Sequence, residues 1–412
     1  MTPYLYITDG ELYLSNGTQT FPLASAFAEK YIDKLRKNVQ QKEWKTKGEG
    51  AIFTRGSMED PEEKLAQASC RVLCARRYGK EVMYTMSIDG VCGIYRRSGL
   101  KNPCEGIVLG DNAYRYGDFD LLGQDLVVAA ASGRESHIAR LDVRKSGYTL
   151  LTDGQAYDTQ PVFSRFEKDV IYYTSFGLPV GAPPPPAWSG LSMQQRLWEM
   201  QQELEDAALR GPGELFRLDM QTGALDLLFS HPDFDFCHPA TDGNGALYYI
   251  KRPHKAHRKG EKRGCLWDLL LFPVRLVKGI VGFFNYFTIL YSGQPITGGD
   301  SKRKDEGQLF LDDNLIQAEK ELKANRAKKE AYPGIIPASW KLHRKCGDRD
   351  EVLAHSVLAY ALCGEDILYS NGSAILRRKP DGSVVKERDA ARVTLIVPAG
   401  EEDTLPDQEQ SK

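Results

Sequence analysis

The sequence predicts an all-β fold, a six-bladed β-propeller with helical insertions between blade strands. Two observations support this prediction: a strand pattern that recurs at a fixed interval, and a last strand that has no unit of its own. A third observation, three segments that do not match the pattern, predicts where the insertions lie.

The recurring pattern is a polar pair followed by β-branched and aromatic residues. It stands out in "KEVMYTM", "QDLVVAA", "KDVIYYT" and "EDILYSN", and it is looser in "GNGALYYIK" and "DGELYLSNG". The residues just before the apolar runs are Glu11, Glu81, Asp125, Asp169, Gly245 and Asp366. Two intervals, Glu81 to Asp125 and Asp125 to Asp169, are each 44 residues, the size of a blade of four short strands. An open β-sandwich is the alternative, and the repeated interval argues against it.

Turn signals and the last strand support a closed ring. "DILYSNGSAILRRKPDGSVVKERD" divides into three strands at Asn371-Gly372 and Asp381-Gly382, because these dipeptides accept positive φ. The run "ARVTLIV" at 391–397 follows a sixth unit that is already complete, whereas the first unit is one strand short. Pairing the two would close the ring and remove an exposed edge.

The stretch "DILYSNGSAILRRKPDGS" resembles the repeats of six-bladed TolB-like propellers and of YWTD-type propellers. The resemblance covers most of 1–178, 212–252 and 337–397, and it implies the fold rather than a function. The chain starts without an export signal and without a separate domain before the first blade. A role in a periplasmic cell-envelope complex is therefore not expected.

The predicted organisation is one propeller domain, 1–397, with three insertions and a tail. Residues 24–44 form a helical insertion, and 179–211 a Pro-rich plus helical one. Residues 253–336 form an amphipathic and basic helical insertion that a short linker should be able to replace. The tail, 398–412, is predicted to be disordered because it is polar and acidic.

The third insertion contains an apolar stretch, 265–293, behind a basic run. On a helix Asp268, Arg275, Lys278 and Asn285 fall within about 100°, and most of the remaining circumference is apolar. Charges in its first half argue against a transmembrane span. The pattern predicts an interfacial helix that meets an anionic membrane surface, with a protein partner or the propeller itself as alternatives. The residues predicted to make this contact are Trp267, Leu270, Phe272, Phe283, Phe284, Phe287, Arg258, Lys259, Lys262 and Arg263.

A small polar cluster, "HPDFDFCHP" at 231–239, precedes the apolar run of the fifth unit. In a propeller this position lies at the mouth of the central channel, so Asp233, Asp235 and His238 are predicted to face it. Asp158 and His355 occupy similar positions in neighbouring units. Converging carboxylates and imidazoles can bind a metal or polar ligand, or act as acid and base. The alternative is a hydrated channel whose polar groups bond to backbone and water.

Motifs for common chemistry are missing from the sequence. It contains no GxSxG, HExxH or P-loop, and its eight cysteines show no CxxC or zinc-finger spacing. No catalytic residue, resident metal or cofactor is therefore predicted. The formal charge of −2 gives no general attraction to nucleic acid. A start without a secretory signal predicts a cytoplasmic protein.

Together these features favour a non-enzymatic interaction scaffold at the cytoplasmic face of a membrane, attached peripherally through 265–293. Its expected partners are a protein, an anionic membrane surface, or both. The alternative is a protein or enzyme that uses the mouth of the propeller channel to bind a small ligand or a metal.

Overall fold

The computed structural model describes residues 3–15, 19–47, 70–99, 104–110, 113–145, 147–178, 210–254, 308–311, 314–328 and 330–398. These ranges contain 26 strands and two helices. The predicted all-β class is confirmed.

One sheet joins the first and last described strands. Its order is β26 (Val393–Pro398), β1 (Tyr4–Thr8), β2 (Glu11–Ser15) and β3 (Thr20–Pro22). β26 runs antiparallel to β1, with Leu5 opposite Val397 and Tyr6 opposite Ile396. The predicted pairing of the last strand with the first unit is present.

Three further sheets have four antiparallel strands each, in chain order. The first consists of β4 (Cys70–Tyr78), β5 (Glu81–Ile88), β6 (Val91–Ser98) and β7 (Cys104–Gly110). The second consists of β16 (Phe234–Thr241), β17 (Leu247–Pro253), β20 (Lys341–Cys346) and β21 (Arg349–His355). The third consists of β22 (Ala359–Cys363), β23 (Asp366–Ser370), β24 (Ala374–Arg378) and β25 (Val384–Asp389).

The largest sheet has eight strands. They are β8 (Arg115–Leu122), β9 (Asp125–Ser132), β10 (Glu135–Asp142), β11 (Thr149–Leu150), β12 (Ala156–Phe163), β13 (Val170–Gly177), β14 (Gly213–Asp219) and β15 (Leu225–Phe229). Its halves meet at one parallel pair, Ser136 with Tyr157. Dividing the sheet there gives six four-stranded units among the described residues, and the number of blades stays a prediction.

The hydrophobic core lies between neighbouring sheets. Tyr6, Ile396 and Leu368 pack between the first sheet and the last, which joins the two ends of the ring. Leu14 and Tyr84 pack between the first sheet and the next. Each sheet therefore buries both faces, as stacked blades do.

The repeat was aligned correctly in five units and incorrectly in the first. Glu81, Asp125, Asp169, Gly245 and Asp366 all lie at the start of the second strand of their unit or within two residues before it, whereas Glu11 begins β2, which is third in the order β26-β1-β2-β3. The first unit was misaligned by one strand because of its Asp-Gly turn. Both Asp9-Gly10 and Asp89-Gly90 have positive φ and precede the third strand of their units. Alternation alone does not distinguish a second from a third strand.

The first insertion is a helix, α1 (Ala26–Lys47), close to the predicted 24–44. Glu105 of β7 holds its start, because its carboxylate accepts from Ser25 Oγ at 3.0 Å and from the backbone N–H of Phe27 at 3.2 Å. Tyr31 donates to Asp89 at 2.6 Å. The helix is thus held against the sheet of β4 to β7.

The described part of the third insertion differs from the helical prediction. It contains a hairpin, β18 (Gln308–Leu311) and β19 (Asn314–Gln317), before the helix α2 (Ala318–Ala327). Ile316 packs with Ile336, Trp340 and Leu358. Asn325, fully buried, donates to the carbonyls of Gly334 and Ile336 at 2.9 Å. This end of the insertion is therefore part of the core.

The rest of the predicted insertions lies outside the described residues, namely 179–209, 255–307 and the tail 399–412. Neither described helix is long and apolar enough to cross a membrane. The seven cysteines of the described ranges are all free thiols.

Candidate functional site

Six strands, one from each unit, surround a central cavity of about 430 Å³. They are β4, β8, β12, β16, β22 and β26, and each contributes residues to the wall. Five of them carry a register shift where they meet the cavity. A β-bulge leaves a residue unpaired and re-aims its side chain. The bulged backbone therefore determines which side chains reach the cavity.

Two of these bulges contain non-glycine residues with positive φ. Gln160 has φ 55° and His238 has φ 52°. A positive φ costs about 1–3 kcal/mol in a residue with a side chain, and surrounding contacts must hold it. Here the two strained residues hold each other, because the backbone N–H of His238 donates to Gln160 Oε1 at 2.7 Å.

The Gln160–His238 pair extends across three units. Thr174 Oγ1 also donates to Gln160 Oε1, at 3.2 Å, which leaves the Gln160 amide nitrogen 3.1 Å from His238 Nε2. The amide nitrogen is a donor, so this arrangement assigns the proton of a neutral His238 to Nδ1. Tyr360 donates to the carbonyl of His238 at 2.7 Å, and burial raises the pKa of Tyr360 well above its usual value.

The carboxylate of Asp120 and the side chain of Arg165 connect four units. Asp120, 2% exposed, accepts from Arg76 Nε at 3.1 Å, from Arg165 Nη2 at 2.8 Å and from the N–H of Phe163 at 3.0 Å. Arg165 also donates to the carbonyl of Leu121 at 3.1 Å, and its N–H donates to Thr241 Oγ1 at 2.9 Å. The units that contain β4, β8, β12 and β16 are thereby bonded to one another around the cavity.

The cavity combines these charges with apolar walls. Its charged lining residues are Arg76, Arg77, Arg165, Asp118 and Asp120, three cations against two anions. The apolar part of the wall consists of Leu73, Leu121, Pro161, Val162, Pro239, Ala240, Ala359, Ala361, Leu362, Leu395, Ile396, Val397 and Pro398. Counted over these five residues, the wall has one excess positive charge in a concave, partly apolar setting.

Of the five residues predicted to face the channel, His238 lines the cavity. Asp158 and Asp235 lie in the N-terminal halves of β12 and β16, before the bulges, and they are not part of its wall. Asp233 and His355 are exposed outside it. The five therefore do not converge at this cavity, and their role in binding a ligand stays a prediction.

Asp235 belongs to a buried ion cluster instead. Its carboxylate accepts from the N–H of Gly213 at 2.9 Å and contacts His254 Nδ1 at 2.7 Å and Arg252 Nε at 3.3 Å. Burial raises the pKa of this carboxyl, but the hydrogen bond from His254 and the charge of Arg252 outweigh burial and lower it. The arrangement stabilises the ionised form.

Asp158 has the opposite electrostatics although it is also buried. It accepts from Thr152 Oγ1 at 2.6 Å, and no Lys or Arg of the described ranges forms an ion pair with it. Burial raises the pKa of its carboxyl, and the hydrogen bonds compensate only partly. The two remaining residues make backbone contacts: the carbonyl of Asp233 accepts from the N–H of His254, and His355 Nδ1 lies 3.3 Å from the carbonyl of Ala338.

A metal site is not found in the described part of the chain, where no three His, Cys, Asp or Glu side chains group together. The predicted membrane or partner residues, Trp267, Leu270, Phe272, Phe283, Phe284, Phe287, Arg258, Lys259, Lys262 and Arg263, all lie outside the described residues.

Comparison with known proteins gives likeness in fold only. No family model and no curated protein matches the chain. Among solved structures it is similar to a nidogen/laminin complex, at 8% identity and a TM-score of 0.47, over 96% of this chain and 98% of that one. It is similar to TolB from Acinetobacter baumannii at 9% identity and a TM-score of 0.46, over 96% of this chain and 65% of that one. For the tricorn protease the values are 10% and 0.42, over 96% of this chain and 34% of that one.

The chain thus resembles TolB-like and YWTD-like propellers in structure as well as in its repeats. At these identities the likeness extends to the fold alone.

Proposed function

We propose that this protein is a non-enzymatic interaction scaffold that binds a segment of a protein partner in its central cavity. The observation that carries the proposal is the construction of the cavity, whose wall takes residues from all six inner strands. Preformed concave sites with an apolar lining and a few fixed polar groups are where proteins bind ligands.

The state of the polar side chains supports binding rather than catalysis. Asp120 already accepts hydrogen bonds from three donor atoms, and the ring of His238 is paired with Gln160. A general base needs an acceptor that a substrate can reach. A small-ligand protein or an enzyme at the same cavity remains the alternative.

Photo-crosslinking from inside the cavity tests the proposal. Thr394 is exposed, lines the cavity and lies in a bulge of β26, so a photoreactive benzoylphenylalanine there should not disturb the core. We expect a discrete crosslinked protein in cells, identified by mass spectrometry. Thr222, exposed in the turn between β14 and β15, is the matched control position. Equal crosslinking at both positions would contradict a partner site in the cavity.

A second candidate function is peripheral attachment to the cytoplasmic face of a membrane through 265–293. The amphipathic pattern of this stretch and the basic run before it favour this candidate. Arg252 and the β18 hairpin both pack around Trp340, so the insertion leaves and rejoins the propeller in one neighbourhood.

Vesicle flotation tests the attachment. The intact protein should float with anionic liposomes, and replacing Arg258, Lys259, Lys262 and Arg263 with Gln should weaken binding and its salt dependence. Charge attraction is screened over about 8–10 Å at ordinary ionic strength. Replacing Phe283, Phe284 and Phe287 with Ser should weaken binding at low salt too, because apolar burial is lost. An intact protein that stays at the bottom of the gradient would refute the attachment.

A further inference from the structure

Two arginines share one carboxylate in the wall of the central cavity. Asp120 is almost fully buried, whereas the side chains of Arg76 and Arg165 are 25% and 35% exposed. Each guanidinium has five N–H donors. Among the described residues no acceptor contacts Nη2 of Arg76 or Nε of Arg165. The cluster therefore retains hydrogen-bond donors, and together with Arg77 and Asp118 it gives the cavity wall three cations against two anions.

The guanidinium groups of Arg76 and Arg165 are held in fixed positions. Arg76 also donates to the carbonyl of Ala75 at 2.9 Å, and Arg165 to that of Leu121 at 3.1 Å. Rigid guanidinium groups lose little side-chain entropy when they bind an anion, and Arg matches the planar geometry of a carboxylate. A concave, partly apolar site strengthens the field of such charges.

We propose that the central cavity binds a carboxylate carried on an apolar body. The inference rests on the proposed function, since it names the chemistry recognised at the same cavity. One excess positive charge matches a monoanion better than a doubly charged phosphate. Pro161, Val162, Pro239 and Leu395 supply an apolar wall for the rest of the ligand.

A carboxylate can reach the cavity from two sources. One is a separate molecule, such as an acidic segment of the partner. The other is the chain itself, because Pro398 lines the cavity and Glu401, Glu402 and Asp403 lie three to five residues after it in sequence. At about 3.3–3.6 Å per residue, three to five fully extended residues span at most roughly 10–18 Å.

Hexanoate and hexanamide are matched probes, since they differ only in the charged head. We expect isothermal titration of the full chain at low salt to show hexanoate binding at least about tenfold tighter than hexanamide. Thr394→Asp places a carboxylate in the cavity from an exposed position and should abolish hexanoate binding, whereas Thr394→Asn should retain it. A thermal melt confirms that both variants fold.

A variant with Glu401→Gln, Glu402→Gln and Asp403→Asn separates the two sources. If the chain's own carboxylates compete, this variant should bind hexanoate at least about threefold more tightly than the parent chain does. If the carboxylate comes from another molecule, the affinity for hexanoate should be the same in both. Equal affinity for hexanoate and hexanamide, or full hexanoate binding by Thr394→Asp, would overturn the proposal. Hexanoate binding without crosslinking from position 394 would instead refute the scaffold and leave the carboxylate site standing.

Discussion

Replacing Asp235 with Asn is expected to lower the free energy of unfolding by about 3–5 kcal/mol, because it removes the carboxylate charge that is paired with a buried guanidinium. Arg252 and Asp235 are 2% and 1% exposed. The guanidinium of Arg252 also stacks on Trp340, with 4.7 Å to the ring centroid, so it cannot turn outward to water without losing that contact. Urea unfolding at neutral pH measures the loss.

Asp158→Asn is the matched control. Asp158 is equally buried, but burial raises its pKa and no ion pair to Lys or Arg is present in the described ranges. Neutralising it removes a desolvated charge while the amide oxygen can still accept from Thr152, so the change should stay within about 1 kcal/mol. A comparable loss in both variants would show that burial, rather than the ion cluster, determines the cost.

The two carboxylates also predict opposite pH dependences. The pKa of Asp235 is lower in the folded state, so its contribution to stability is present above the unfolded pKa of about 4 and is lost as pH falls through the folded pKa. The pKa of Asp158 is higher in the folded state, so protonation near and above pH 4 favours folding. Asp235→Asn should therefore flatten the acid-side loss of stability, and Asp158→Asn should not.

The repeat also predicts which residues of each unit line the cavity. The residues five and four positions before Glu81, Asp125, Gly245 and Asp366 all line the cavity. They are Arg76, Arg77, Asp120, Leu121, Ala240, Thr241, Ala361 and Leu362. Fixed offsets follow from a repeat that puts one strand of every unit at the centre. The charged members of this set could therefore have been predicted.

Other features of the cavity could not be predicted from the sequence. Asp235, Phe236 and Cys237 are consecutive and all buried, because an inner strand has neighbours on both faces. Alternation then gives no sign of which residue meets the cavity, and the bulge at His238 and Pro239 changes the side-chain direction again. The Asp235–Arg252–His254 cluster depends on pairing between β16 and β17, which residue spacing does not reveal.

Two deletions within the third insertion are expected to have very different effects on stability. Replacing 255–307 with about ten Gly/Ser residues, whose root-mean-square span is about 17 Å, should change the free energy of unfolding by less than about 1 kcal/mol. Replacing 253–336 in the same way should abolish cooperative unfolding. The packing of Ile316 and Ile336 in the core corrects the expectation that the whole insertion, 253–336, is a surface excursion.

The difference follows from what each deletion removes. The larger deletion removes buried Leu309, Leu311, Ile316 and Ile336 and uncovers Trp340 and Leu358. Each buried side chain of this size contributes about 1.5–3 kcal/mol, so their sum approaches the roughly 5–15 kcal/mol of total stability of an ordinary protein. It also removes His254 from the cluster around Asp235. Circular dichroism melts of the two variants decide the matter, and a cooperative melt at the parental temperature for the 253–336 deletion would contradict the packing of the β18 hairpin against the propeller.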